Sequence, residues 1–225
     1  MAPHAIARVA VFASGGGSNL QAILDHLDDL GADAPAEVVL VVSDRESSPA
    51  LERAASGGIT AAWISRDRGE TLAPLLIENG VTLIALAGYL RLVPKEIVAS
   101  YHGRILNVHP ALLPAFGGAG MYGTRVHDAV IKSGARVSGP TVHFVDERFD
   151  EGPIIAQWPV PVRTDDTIVT LGARVLAVEH RIYPWCLAAV AAGTVRLGAH
   201  GQVEGAPEFD FDIFAPEPRR HPFVG

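Results

Sequence analysis

The chain has 225 residues, of which 48% are hydrophobic and 19% charged; that is too apolar for a disordered polymer and long enough to bury a core. Its formal net charge of −7, from 18 Lys+Arg against 25 Asp+Glu, leaves no overall positive field to hold a nucleic-acid backbone or an anionic membrane. The lone cysteine, Cys186, excludes an internal disulfide framework, no Cys/His cluster has zinc-site spacing, and no stretch reaches the roughly 18–20 apolar residues of a membrane span. Met1–Ala7 lacks the basic region and apolar run of a leader, so the expectation is a cytoplasmic protein.

From Ala7 onward, short apolar runs alternate with segments of helical period, the pattern of βαβ units around a parallel sheet. The first strand is predicted over Arg8–Ala13. Gly15-Gly16-Gly17 interrupts it, and Leu20, Ile23, Leu24 and Leu27 then share one face of a helix that ends before Gly31. Val38–Val42 is uniformly apolar and predicts a strand buried on both faces. Further strands are expected at Ala61–Ile64, Thr82–Ala87 and Arg104–Val108, with helices at Ala50–Ser56, Glu70–Glu78 and Lys95–Ser100, the last opened by Pro94 at a first helical position. Prolines and glycines from Pro110 to Gly123 predict a long irregular segment, the kind of loop that carries function. Beyond it come a helix over Val126–Lys132, strands over Pro140–Val145 and Ile154–Trp158, and a long apolar helix over Thr167–Ala192 stopped by Gly193. The tail after Glu204 has no period and reads as surface strand or coil. No repeat, low-complexity tract or linker interrupts the chain, which predicts a single domain over residues 1–225.

Three constellations carry chemistry. Ser14-Gly15-Gly16-Gly17-Ser18-Asn19 lies between a strand and a helix, where glycines admit close backbone approach and first-turn N–H groups face an anion such as phosphate. It lacks the Gly-Lys-Ser/Thr of a P-loop and has Leu20 where a dinucleotide loop wants a small residue, although Asp44 mimics a ribose-binding acid and keeps a nicotinamide enzyme as a rival. The plain alternative is a tight turn with Ser18 or Asn19 as helix cap. In Ile105-Leu106-Asn107-Val108-His109-Pro110, strand alternation puts Asn107 and His109 on one face, an amide donor beside a group that exchanges its proton near neutral pH. That pair suits attack on a carbonyl carbon; the plain alternative is a capping Asn and a backbone-satisfied His. The acidic turn Asp146-Glu147-Arg148-Phe149-Asp150-Glu151-Gly152-Pro153, following the alternating Thr141-Val142-His143-Phe144-Val145, can bring a carboxylate to His109 or serve only as a surface turn. Arg91 lies past a strand carboxyl end, where open α/β sheets bind ligands, and Cys186 reads as a small buried hydrophobe.

Taken together, Ser14–Gln21, Ala87-Gly88-Tyr89-Leu90-Arg91, Asn107-Val108-His109-Pro110-Ala111-Leu112-Leu113-Pro114, Thr141–Val145 and Asp150-Glu151-Gly152-Pro153 closely resemble the folate-dependent phosphoribosylglycinamide formyltransferase family of purine biosynthesis. The likeness runs from about Val9 to Pro184, and the Asn-x-His-Pro-x-Leu-Leu-Pro run is its most specific part. It implies a three-layer Rossmann-like α/β fold, with a mostly parallel sheet, helices on both faces and an antiparallel C-terminal part. It also implies transfer of a formyl group from 10-formyltetrahydrofolate, as co-substrate, to the amine of 5′-phosphoribosylglycinamide, with neither metal nor nucleotide cofactor. Carried over by position, Asn107, His109 and Asp150 are its catalytic set. Gly17, Ser18, Asn19 and Glu179 are its amine-substrate contacts, and Arg68, Leu90, Arg91, Leu92, Val93, Asp146 and Glu147, with Asn107, its folate contacts. Partners are then small molecules only, for a monomer or homodimer. Phe116-Gly117-Gly118-Ala119-Gly120-Met121-Tyr122-Gly123 departs from the family pattern by its length, with His127 just beyond. The related formyltetrahydrofolate hydrolases and methionyl-tRNA formyltransferases resemble this chain with an extra domain added, so the expectation from length is the transferase, with a hydrolase or another folate-dependent formyltransferase as the alternative.

Overall fold

The computed structural model describes residues 5–65 and 71–207. Side-chain alternation along the first strand, β1 (Ala7–Phe12), divides the interior in two. Val9 and Val11, with Ala13 beyond them, enter one core beside Leu20, Ile23 and Leu27 of α1 (Ser18–Leu30). Ala10 and Phe12 enter the other, beside Leu72 and Leu76 of α3 (Leu72–Glu78) and Ile97 and Val98 of α4 (Lys95–Ser100). A strand covered on both faces has no polar side, which is why these segments read as continuous apolar runs.

The main sheet runs β3 (Thr60–Trp63), β2 (Ala36–Ser43), β1, β4 (Leu83–Leu86), β5 (Ile105–His109), β7 (Thr141–Phe144), β8 (Ile154–Gln157). Its first five members are parallel, and β7 and β8 join antiparallel. This is the mostly parallel, C-terminally antiparallel sheet anticipated above. Short antiparallel pairs, β6 (Val137–Ser138) with β9 (Val160–Pro161) and β10 (Arg196–Leu197) with β11 (Val203–Glu204), have too few residues to carry a period. Local chemistry fixes the helix starts. Ser48 accepts from the Ala50 N–H ahead of α2 (Pro49–Ser56), whose first position is a proline, and Thr167 with Thr170 forms a reciprocal cap on α6 (Ile168–Ala191). Pro94 caps α4 rather than opening it as its first residue. The expected elements otherwise lie within one or two residues of those observed, while Glu70 and the tail from residue 208 fall outside the described residues.

The chain leaves β1 toward β2 on one side and reaches β4 on the other, so a topological switch point lies at the carboxyl ends of β1 and β4. The loops there are tied together: the Ser14 N–H donates to the Gly88 carbonyl (3.1 Å), and the Leu90 N–H to Ser14 Oγ (3.0 Å). From α6 the buried Tyr183 hydroxyl reaches the carbonyls of Leu86 (3.0 Å), the last residue of β4, and of Leu106 (3.1 Å) in the neighbouring β5. These ends carry the site.

Candidate active site

A cleft of about 590 Å³ opens above those strand ends. α1 begins beside it at Gly17, which takes a left-handed φ of 72° and lies so close to α2 that a Cβ would stand 3.0 Å from that of Ala50. No side chain caps the helix, so the Ser18 or Asn19 cap weighed above does not form, and the first-turn N–H groups have no side-chain acceptor. Asn19 turns inward instead, and its Nδ2 donates to Oε2 of the buried Glu179 on α6 (2.8 Å). Burial raises the Glu179 pKa, against the Asn19 hydrogen bond and the charge of His109. Asn19 and Glu179 line the cleft. Gly17 does not, and Ser18 is exposed along a neighbouring groove between α1 and α6.

β5 delivers Asn107 and His109 to the cleft as strand alternation requires. Asp150 arrives from the turn after β7, at a left-handed φ of 57° that aspartate tolerates better than most residues. Two residues on, Gly152 packs so tightly that a Cβ would lie 1.9 Å from the Phe144 carbonyl oxygen, so only glycine lets the turn fold back. The result puts Asp150 Oδ2 3.4 Å from His109 Nδ1, with the Gly118 N–H donating to the same oxygen (2.9 Å) and Asn107 Nδ2 3.4 Å from Oδ1. Burial alone would raise the Asp150 pKa; the imidazoles of His109 and His143 and the Gly118 N–H outweigh it and hold the carboxyl well below the usual carboxylate range. Asp150 is therefore ionised across the physiological range.

The ring of His109 is held at both ends, because its Nε2 lies 2.8 Å from the carbonyl oxygen of Phe116, an acceptor. Asn107 is similarly engaged: its Nδ2 lies 3.0 Å from His143 Nε2, while His143 Nδ1 faces the Phe144 carbonyl (2.7 Å). The same His143 Nε2 stands 3.7 Å from Asp150 Oδ1, so His143, Asn107 and Asp150 form one cluster. His143 had no role in the sequence reading. Its place comes from the antiparallel register, which sets His143 directly opposite Asn107. The Phe116 carbonyl had no sequence signal, being backbone.

Leu90, Arg91, Leu92 and Val93 line the cleft. Arg91 is not free there: its Nε stands 3.0 Å from Asp44 Oδ2, so the acid that mimicked a ribose ligand is ion-paired. Asp146 and Glu147 do not reach the cleft wall; Asp146 Oδ1 accepts the Arg148 N–H, and Arg148 and Phe149 face the cleft in their place. Arg68 lies outside the described residues. Gly118, Gly120, Met121, Tyr122 and Gly123 of the long loop close one side. Cys186 is fully buried, and burial pushes its thiol pKa far up, as suits an inert side chain. Among the described residues no group of three or more His, Cys, Asp or Glu is placed to hold a metal ion, and no helix is long and apolar enough to cross a membrane.

Comparison with known proteins matches residues 7–187 to the formyl transferase family model. The chain is 43% identical over 197 residues to a chloroplastic phosphoribosylglycinamide formyltransferase of Arabidopsis thaliana, covering 84% of this chain and 67% of the relative. It is 38% identical over 204 residues to the human trifunctional purine biosynthetic protein adenosine-3, covering 88% of this chain and only 20% of that protein. Among solved structures, glycinamide ribonucleotide transformylase 1 from Symbiobacterium toebii superposes with a TM-score of 0.82 at 40% identity, covering 91% of this chain and 95% of that one.

Proposed function

Since the chain belongs to the formyl transferase family, we propose that it transfers a formyl group from 10-formyltetrahydrofolate to the amine of 5′-phosphoribosylglycinamide, a step of purine biosynthesis. The observation that carries this reading is the buried Asp150 carboxylate set against His109 beside Asn107, at a cleft whose walls include Leu90, Leu92, Val93 and Phe149. A flat pterin ring with polar edges suits such walls. At the other substrate, first-turn N–H groups of α1 at Ser18 and Asn19 suit a 5-phosphate, and Glu179 suits the glycinamide portion.

In this mechanism the amine attacks the formyl carbon, and negative charge grows on the carbonyl oxygen as positive charge appears on the attacking nitrogen. His109 donates from Nε2 to that oxygen in exchange for the Phe116 carbonyl. Asn107 keeps one N–H on His143 and turns the other, whose contact with Asp150 is long, toward the same oxygen. Asp150 supports the imidazolium through Nδ1 and helps move a proton from the incoming amine to the departing folate nitrogen. The reading is of one domain acting in the cytoplasm on small molecules, as monomer or homodimer.

The test is to follow the absorbance of released tetrahydrofolate with each substrate omitted in turn. Release is expected only when both substrates are present. Equal release without the amine would make the protein a hydrolase, and no release in any mixture would remove the transferase reading.

A further inference from the structure

Residues 88–93, between β4 and α4, belong to neither strand nor helix, so their backbone groups have no ladder or helical partners to fall back on. All six line the cleft. Tyr89 and Val93 pack into the core under α3 and α4, while Leu90 and Leu92 are exposed. Among the described residues, the hydrogen bonds of this wall both go to Ser14: its N–H donates to the Gly88 carbonyl (3.1 Å), and its Oγ accepts the Leu90 N–H (3.0 Å). Across the cleft, the long loop ahead of α5 (Thr124–Ser133) is anchored elsewhere, through Gly118 on Asp150 and Phe116 on His109.

Ser14 itself is 2% exposed and does not line the cleft, so it touches no ligand there. It follows the wholly apolar residues 9–13, where an alanine would bury with no polar group to satisfy. What its hydroxyl answers is the Leu90 N–H. The same residue opens the glycine loop, which is fixed on its far side: Ser48 Oγ donates to the Gly15 carbonyl (2.9 Å), and a Cβ on Gly17 would stand 3.0 Å from that of Ala50. With α2 blocking one side, Ser14 is the link by which the glycine loop and the wall constrain each other. The ion pair of Arg91 with Asp44, in the loop between β2 and α2, adds a second strut to the wall.

We propose that Ser14 is a positioning residue that sets the wall at residues 88–93 and couples it to a phosphate held at the glycine loop. Phosphate orders the loop, the two hydrogen bonds pass that order to Gly88 and Leu90, and a folate then meets a wall that costs less to order. The proposal rests on the transferase reading for the identity of both ligands.

The test uses the full chain with ribose 5-phosphate and tetrahydrofolate, which bind without reacting, and measures each Kd by calorimetry. In the wild type, saturating ribose 5-phosphate should tighten tetrahydrofolate about fivefold or more, with the same factor in the reverse order of addition. Ser14→Ala should weaken tetrahydrofolate about three- to tenfold, the value of one hydrogen bond, leave ribose 5-phosphate alone within about twofold, and bring the coupling below about twofold. A direct contact between the two ligands would survive that substitution, and a role in packing alone would lower Tm with the coupling intact. In the wild type, hydrogen exchange at the Leu90 amide should slow about threefold or more when ribose 5-phosphate is bound, a readout that needs no variant to fold. An unchanged Leu90 exchange rate in protein saturated with ribose 5-phosphate, or full coupling in a folded Ser14→Ala protein, overturns the proposal. Because binding is measured apart from turnover, coupling that is lost in Ser14→Ala while the wild type transfers no formyl group would overturn the transferase reading and leave the role of Ser14 standing.

Discussion

Asp150→Asn isolates one charge. Asparagine keeps the size of the side chain, tolerates the left-handed φ of 57° at this position, and can still accept the Gly118 N–H through its amide oxygen. At 3.4 Å and an effective dielectric of about 20, the Asp150 carboxylate and an imidazolium at His109 attract by about 5 kcal/mol. That is a gross figure. Both groups would otherwise be hydrated, so the net loss of stability should be about 1–3 kcal/mol at pH 7, the range for one charge-assisted hydrogen bond. The sign against pH follows from the direction of the shift. A carboxyl whose folded pKa lies below its unfolded value adds stability above the unfolded value, near pH 4, and loses it as pH falls through the folded one. Urea melts should therefore show the full gap between wild type and variant at pH 7 and a closing gap below about pH 4. In the formyl-transfer assay kcat should fall about 10²–10⁴-fold, the scale of a lost proton-transfer group. A gap of the same size at both pH values, or a kcat within about fivefold of wild type, would refute the assignment of Asp150 as the ionised partner of His109.

Asn107→Ala should lower kcat about 10²–10³-fold with both KM values little changed, as loss of one oxyanion donor does; a change confined to KM would make Asn107 a binding group. Glu179→Gln should raise Tm at pH 8 and not at pH 4, because burial raises the Glu179 pKa and the cost of its charge appears only as pH climbs through that value. The same variant should weaken binding of the amine substrate, measured by calorimetry. Tyr183→Phe strips the donor from the carbonyls of Leu86 and Leu106 and should cost about 1–3 kcal/mol in urea melts, with a smaller effect on kcat.

The fold was legible wherever one face of an element is buried. The short apolar run of β1 ended by glycines and the spacing of Leu20, Ile23 and Leu27 were enough to place strand and helix, because burial on both faces of the sheet and on one face of the helix imposes those patterns. What escaped was set by contacts distant in sequence. The cap of α1 is Gly17 rather than Ser18 or Asn19, because Ala50 crowds the turn and Asn19 is drawn 160 residues along the chain to Glu179. Asp44 looked like a ribose ligand until the fold set Arg91 against it, and Asp146 and Glu147 looked like cleft residues until the turn aimed Arg148 and Phe149 there instead. His143 required the register of β5 with β7, which a strand pattern alone does not specify.

The same long-range contacts bear on how the site works, because its two donors meet protein acceptors of unequal hold. His109 Nε2 is 2.8 Å from the Phe116 carbonyl, while Asn107 reaches Asp150 at only 3.4 Å. A substrate oxygen competes with both, and it wins most as charge accumulates on it, since a hydrogen bond to an anionic oxygen is about twice as strong as one to a neutral carbonyl. A neutral formyl oxygen gains little over the Phe116 carbonyl; a developing oxyanion gains a great deal. In the proposed mechanism the carbonyl holds His109 oriented until the oxyanion takes its place; displacing it costs the same whichever oxygen does so, and the differential binding that raises kcat comes from the charge on that oxygen. Phe116 presents that carbonyl from a left-handed φ of 57°, a conformation uncommon for a residue with a large side chain and one that the surrounding loop must hold in place.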